Sequence, residues 1–164
     1  MSQSSLDGKV FRDAMGCFAT GVTVITSVGR KKELIGLTAN SFSSVSLDPP
    51  LVLFSLGRSS QSWWSFLSTQ YFAVNVLSQA QKDLSSRFAK SGEDKWNGVE
   101  YGIWDTGCPI LPGALATFEC EYRYTHDGGD HVIFVGEVLR LQHNPTRSPL
   151  LFYQGRYAEL SNSS

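Results

Sequence analysis

The feature that most constrains this chain is a pair of β-branched and aromatic runs around a glycine pair, from Ala116 to Leu141: ATFECEYRYTHDGGDHVIFVGEVLRL. Val, Ile, Phe and Tyr suit a pleated, half-buried surface, and Asp127-Gly128-Gly129-Asp130 supplies turn residues. The segment predicts two long strands, Ala116 to Tyr124 and His131 to Leu141, joined as a hairpin. It also puts two polar residues, Asp130 and His131, at the mouth of an apolar strand. Turn chemistry accounts for the glycines and for Asp127. It does not account for His131.

The rest of the chain supplies more strands than helices. VTVITS (Val22 to Ser27) reads as a strand, followed by a turn at Gly29 to Lys32. ELIGLTANSFSSVSL begins as a strand and becomes small and polar, and Asp48-Pro49-Pro50 stops any element there. LVLFSL and YFAVNVL are further strands, and a last short one falls near Leu150 to Tyr153. Apolar residues at helical spacing predict a helix over residues 7–19, with Asp7 as N-cap and Gly21 ending it. WWSFLST reads as a short helix, and SQAQKDLSSRFAKSG as a helix capped by Ser78. Residues 93–114, rich in Gly and Pro, read as loop. Strands and helices do not alternate regularly. A mainly β single domain follows, with a core over about 10–160: a small barrel with helices at its ends rather than a doubly wound sheet.

Composition excludes several classes. With 14 basic and 15 acidic residues the net charge is -1, which argues against nucleic acid as a partner. The three cysteines have no CxxC spacing, so neither a disulfide framework nor a zinc site is indicated. No apolar run approaches a membrane span, and no secretory h-region is evident, so a cytoplasmic setting is expected. There is no GxSxG nucleophile elbow, no Walker loop, and no HxxxH or HExxH pair among the histidines.

Three stretches carry candidate chemistry. LVLFSLGRSSQSWWSFL runs from a strand through a hydroxyl-rich loop into a helix N-terminus, where free N–H groups meet Ser59, Ser60 and Ser62. That suits a phosphate cradle, and it also suits ordinary N-capping. GLTANSFSSVSLDPP gives up large side chains over Thr38 to Val45, as a strand does where a flat heterocycle approaches its backbone; a polar surface loop reads the same way. The third stretch is Gly-Asp-His, where the glycines allow close approach of a ligand.

Taken in order, these stretches resemble the short-chain flavin reductase family, the small NAD(P)H:flavin oxidoreductases that serve two-component monooxygenases. FRDAMGCFATGVTVIT, YFAVNVLSQAQKDLSSRFA, CPILPGALATFECE, GGDHVIFVGEV and PLLFYQGRY complete the resemblance, which spans about Phe11 to Leu160. The family implies an FMN-binding split β-barrel that works as a homodimer. It also implies a groove shared by the flavin (FMN or FAD) and the nicotinamide (NADH or NADPH). By motif, Thr38, Ala39, Asn40 and Ser41 match contacts to the isoalloxazine edge. Ser55 and Ser59-Ser60-Gln61-Ser62 match ribityl and phosphate contacts. Arg87-Phe88-Ala89 resembles the segment meeting the phosphate or the adenine half of FAD. His131 resembles the residue facing the nicotinamide, and Tyr157, with Tyr153 and Arg156, matches the C-terminal motif near the groove. The implied activity is hydride transfer from NAD(P)H to flavin, with reduced flavin delivered to a partner monooxygenase. A flavin-storing or electron-transfer protein of the same fold is the alternative.

Overall fold

A computed structural model describes residues 6–92 and 94–161. Helix α1 (Gly8–Gly16) is followed by β1 (Thr20–Gly21), β2 (Thr23–Val28), β3 (Leu34–Ala39), β4 (Ser43–Leu47) and β5 (Pro50–Gly57). Next come α2 (Trp63–Leu67), β6 (Tyr71–Val76), a 3₁₀ turn (Gln79–Gln81) and α3 (Lys82–Ala89). The remainder is β7 (Gly102–Ile103), β8 (Pro109–Ile110), β9 (Ala116–Gly128), β10 (His131–His143), β11 (Leu151–Tyr153) and β12 (Arg156–Ala158).

Seven strands form one sheet in the order β3-β2-β6-β9-β10-β5-β4, with every neighbouring pair antiparallel. The sheet curls far enough for the edge strand β3 to approach β5. The expected hairpin is its backbone, but the turn is tighter than the four residues predicted. His131 pairs with Gly128, leaving Gly129 and Asp130 as the loop. Gly129 has φ +73°, which a two-residue hairpin loop demands and which only glycine adopts without strain.

Three local readings need correction. The first helix stops at Gly16 with Cys17 as its C-cap, and Gly21 lies in β1. The two prolines interrupt the chain for only two residues, because Leu47 pairs with Pro50 and that proline begins β5, where no ladder donor is needed. The Gly- and Pro-rich loop contains the pair β7–β8, and the C-terminus adds β12 against β11.

The concave side of the sheet is filled by aromatics. Phe54 stacks on Phe134 at 5.1 Å between centroids, and Phe66, Phe72 and Trp63 meet this pair edge-on. A second cluster of Val22, Val24, Leu77, Phe88, Leu111 and Leu150 seats α3 against β2 and β3. Gly36 permits this seating, since a Cβ there would run into the Phe88 ring. Helix α1 is capped as expected, with Asp7 accepting from the Lys9 N–H at 2.7 Å. Its apolar residues Val10, Phe11 and Met15 are nevertheless exposed, and the helix buries none of its residues.

Candidate active site

A groove of ≈ 320 Å³ opens where the end of β3, the end of β5 and the C-terminal end of α3 meet. Its wall contains Thr38, Ala39, Asn40 and Ser41 from β3 and its continuation, Ser55 and Ser60 from β5 and the loop beyond it, Phe88 and Ala89 from α3, and His131 from β10. Residues up to 93 positions apart in the chain thus converge, because β5 pairs with β10 and α3 packs on β3.

The groove's polar groups fall into two sets. Some are spent on the fold. Ser41 Oγ accepts from the Ser55 N–H at 2.9 Å and donates to the Ser55 carbonyl at 3.2 Å, tying the end of β3 to β5. Thr38 Oγ1 donates to the Ser85 carbonyl at 2.7 Å, which fixes α3. Others are unspent: the Asn40 and Ser41 backbone N–H groups, past the end of β3, meet no acceptor among the described residues. Unpaired backbone donors in a groove wall suit an electron-rich heterocycle edge.

His131 stands opposite Gly57 in the β5–β10 ladder, and its Nε2 lies 3.5 Å from where a Cβ on Gly57 would stand. The missing side chain leaves room for the imidazole at the groove. Nδ1 is 2.7 Å from Asp130 Oδ1, and that hydrogen bond holds the Asp130 carboxyl below the usual carboxylate range. The turn carrying both residues is clamped by Arg58. Its N–H donates to the Asp130 carbonyl at 2.9 Å and its Nε to the Gly129 carbonyl at 3.2 Å. The guanidinium also pairs with Asp127 and lies 5.3 Å from the Trp63 ring. Sequence reading missed Arg58; its position between a strand end and a helix start offered no clue to a partner about seventy residues away.

The hydroxyl-rich loop is less open than a phosphate cradle would be. The Ser60 N–H donates to the Gly57 carbonyl and the Trp63 N–H to the Ser60 carbonyl, both at 3.0 Å, while the Ser62 N–H donates to Ser60 Oγ at 3.3 Å. Ser59 is exposed and lies outside the groove wall. Gln61 and Ser62 line an adjoining groove of ≈ 370 Å³ that shares Ser60, Ser91 and Lys95 with the first. Arg87 faces a third depression and donates to the Asn97 carbonyl at 2.6 Å. Tyr157 is not brought to the groove. It sits behind α3, with its hydroxyl 2.8 Å from Ser85 Oγ and its ring against Phe152. Its place is to hold α3 from the rear.

Lys95 is the main addition. It lines all three depressions, and its Nζ donates to the carbonyls of Phe88 at 3.0 Å and Gly36 at 3.4 Å. Its burial pulls the ammonium below the ordinary lysine value. It sits in a stretch read as loop, where a lone lysine gives no signal.

Among the described residues no cluster of His, Cys, Asp and Glu is arranged to hold a metal, and no helix is long and apolar enough to cross a membrane. A curled antiparallel sheet whose polar groove carries unpaired backbone donors suits a flat cofactor or nucleotide. The match to known proteins is more specific: residues 15–161 fit the flavin reductase like domain, and the chain belongs to that family. It is 46% identical to the FMN reductase (NADH) SmoA of Agrobacterium fabrum, over 94% of this chain and 87% of that one. It is 41% identical to HsaB of Mycobacterium tuberculosis, the reductase subunit of a flavin-dependent monooxygenase, over 94% of this chain and 83% of HsaB. Among solved structures, the Streptomyces globisporus NADH:FAD oxidoreductase SgcE6, in complex with NAD and FAD fragments, superposes with a TM-score of 0.91. That match has 38% identity and covers 96% of this chain and 95% of that one.

Proposed function

We propose that this chain is an NAD(P)H-dependent flavin reductase that delivers reduced flavin to a partner monooxygenase. The observation that carries the reading is the groove itself: unspent N–H groups of Asn40 and Ser41 on one side, and the His131 imidazole on the other, on a scaffold shared with flavin reductases. The relatives' activities and their monooxygenase partners fit this better than flavin storage does.

A bound flavin would supply the redox chemistry, taking up a hydride from the nicotinamide. The protein's part is alignment and electrostatics. Asn40 and Ser41 N–H groups oppose negative charge developing at the flavin edge. Ser41 and Ser55, locked to each other, keep the floor of the groove fixed. His131 orients the nicotinamide, with Asp130 and Arg58 holding the turn in place. No acid, base or nucleophile is required for the hydride. The sheet closes as a split barrel in this reading. The exposed face of α1 supports a homodimer, since Val10, Phe11 and Met15 have no cover within one chain.

The direct test mixes purified protein with NADH, NADPH and excess FMN or FAD while the NADH absorbance is followed. Rapid flavin-dependent loss supports the reductase; flavin binding without turnover supports storage. Within the site, His131→Ala is expected to raise the KM for NADH about tenfold while leaving flavin affinity within about twofold, as for loss of one directed contact. An unchanged KM removes His131 from the nicotinamide side.

A further inference from the structure

We propose that Lys95 reads the phosphate of the bound flavin, so that charge, more than the hydroxyl-rich loop, makes the site prefer phosphorylated flavins to riboflavin. This rests on the flavin-reductase reading above and adds to it a residue outside the motifs that identify the family here.

Four observations converge. First, among the described residues the ≈ 320 Å³ groove is lined by no acidic side chain; its ionisable groups are His131, Lys90 and Lys95, so an anion is favoured on this side of Lys95, while Glu33 and Asp94 lie on the side of the adjoining groove. Second, Lys95 lies where this groove meets the ≈ 370 Å³ one, sharing that boundary with Ser60 and Ser91. A ligand with its rings at Asn40 and His131 would reach this boundary with its chain. Third, the ammonium is already positioned. Two of its three N–H bonds go to the carbonyls of Phe88 and Gly36, and the third meets no acceptor among the described residues. The Phe88 carbonyl belongs to the last turn of α3, where a cation is favoured. Lys90, by contrast, is exposed and makes no side-chain hydrogen bond among the described residues. A tethered cation loses less freedom on binding than a free one. Fourth, the loop that would otherwise cradle the phosphate spends the N–H groups of Ser60, Ser62 and Trp63 internally.

The same chemistry would suit the pyrophosphate of the nicotinamide cofactor, so the test separates the two. Riboflavin, FMN and FAD are titrated by flavin fluorescence into the wild-type protein, Lys95→Gln and Lys95→Arg, and the KM for NADH is measured with riboflavin as acceptor. Lys95→Gln keeps a donor for the Phe88 carbonyl. It is expected to weaken FMN and FAD about tenfold or more and riboflavin less than twofold, as for loss of a charge-assisted bond, while Lys95→Arg retains most FMN affinity. In the wild type, raising salt should weaken FMN but not riboflavin, a measurement that needs no variant to fold. Equal losses for all three flavins would make Lys95 purely structural and overturn the proposal. So would unchanged affinities, or a defect confined to the KM for NADH. Binding and NADH-driven reduction of riboflavin by the wild type uphold the reductase reading whichever way Lys95 falls; a wild type that binds no flavin overturns both.

Discussion

Two polar regions lie on the same sheet: one spends its polar atoms on the fold, with Glu119 Oε2 the exception, while the other holds several in reserve. The first stitches the loop before β9 to β2, β6 and β9. Thr26, Ser27, Asn75 and Glu119 are all fully buried there. Asn75 donates to the Val24 carbonyl at 3.2 Å and accepts from the Leu111 N–H at 2.9 Å. Thr26 donates to the Pro109 carbonyl and Ser27 to the Tyr71 carbonyl, both at 2.6 Å. Glu119 Oε1 accepts from the Thr106 hydroxyl at 2.6 Å and its N–H at 3.0 Å. The second region is the groove, where backbone N–H groups and one imidazole nitrogen are held in place but left unspent. Polarity alone therefore says little about function in this fold. The distinction lies in whether the protein has already used it.

A stitched region that opened easily would erase the difference between the two. Cys108 and Cys120 lie within it, and burial pushes both thiols above the usual cysteine value. Cys17 is exposed at the end of α1. A thiol reagent at pH 8 should label Cys17 in the native protein, with Cys108 and Cys120 slower by at least about 10³, because they react only through opening of the core. Mass spectrometry of timed samples reads the three sites separately. Comparable rates would show the stitch to be as open as the groove.

A smaller effect is expected from removing the stitch's centre. Asn75→Leu leaves the Leu111 N–H and the Val24 carbonyl unpaired in a dry interior, at a cost of about 3 kcal/mol. Urea denaturation should show this as a lower midpoint with an unchanged slope. Flavin affinity of the folded variant should stay within about twofold, since Asn75 faces the other region. A large loss of affinity at full folding would mean that the two regions are coupled.

The stitched region was illegible in the sequence for the reason that makes it work. Asn75 and Glu119 interrupt apolar runs, YFAVNVL and ATFECEY, and their partners lie on β2 and in the loop before β9, brought to them only by the fold. The strands themselves were legible, because β-branched and aromatic periodicity is local. Of the groove, the segments Thr38 to Ser41 and Gly-Asp-His stood out because they break strand composition where a strand should continue. Arg58 and Lys95 did not, since a single cation in a loop looks like solvated surface until the chain brings it to its carbonyls. Tyr157 stands next to a motif in sequence, but its hydroxyl turns to Ser85 behind α3, a placement that sequence nearness does not convey.

The finest test asks how far the groove's order depends on Asp130. The Asp130 carboxylate is exposed, and its bond to His131 Nδ1 lies in solvent, so the pair holds the ring without adding much stability. Its effect is to keep a proton on Nδ1 and so leave Nε2 free toward the groove. The His131 bond lowers the Asp130 carboxyl, so the carboxylate that accepts from Nδ1 is complete above the ordinary carboxylate range and is lost as pH falls through the depressed value. Asp130→Asn imitates that acid form at neutral pH. It should raise the KM for NADH by about two- to threefold, less than His131→Ala, with flavin affinity and thermal midpoint unchanged. Steady-state kinetics at pH 7 decide the matter. An effect as large as that of removing the imidazole would show that orientation, and not contact, is the histidine's whole contribution; no effect would leave the Arg58 clamp as the element that orders the turn.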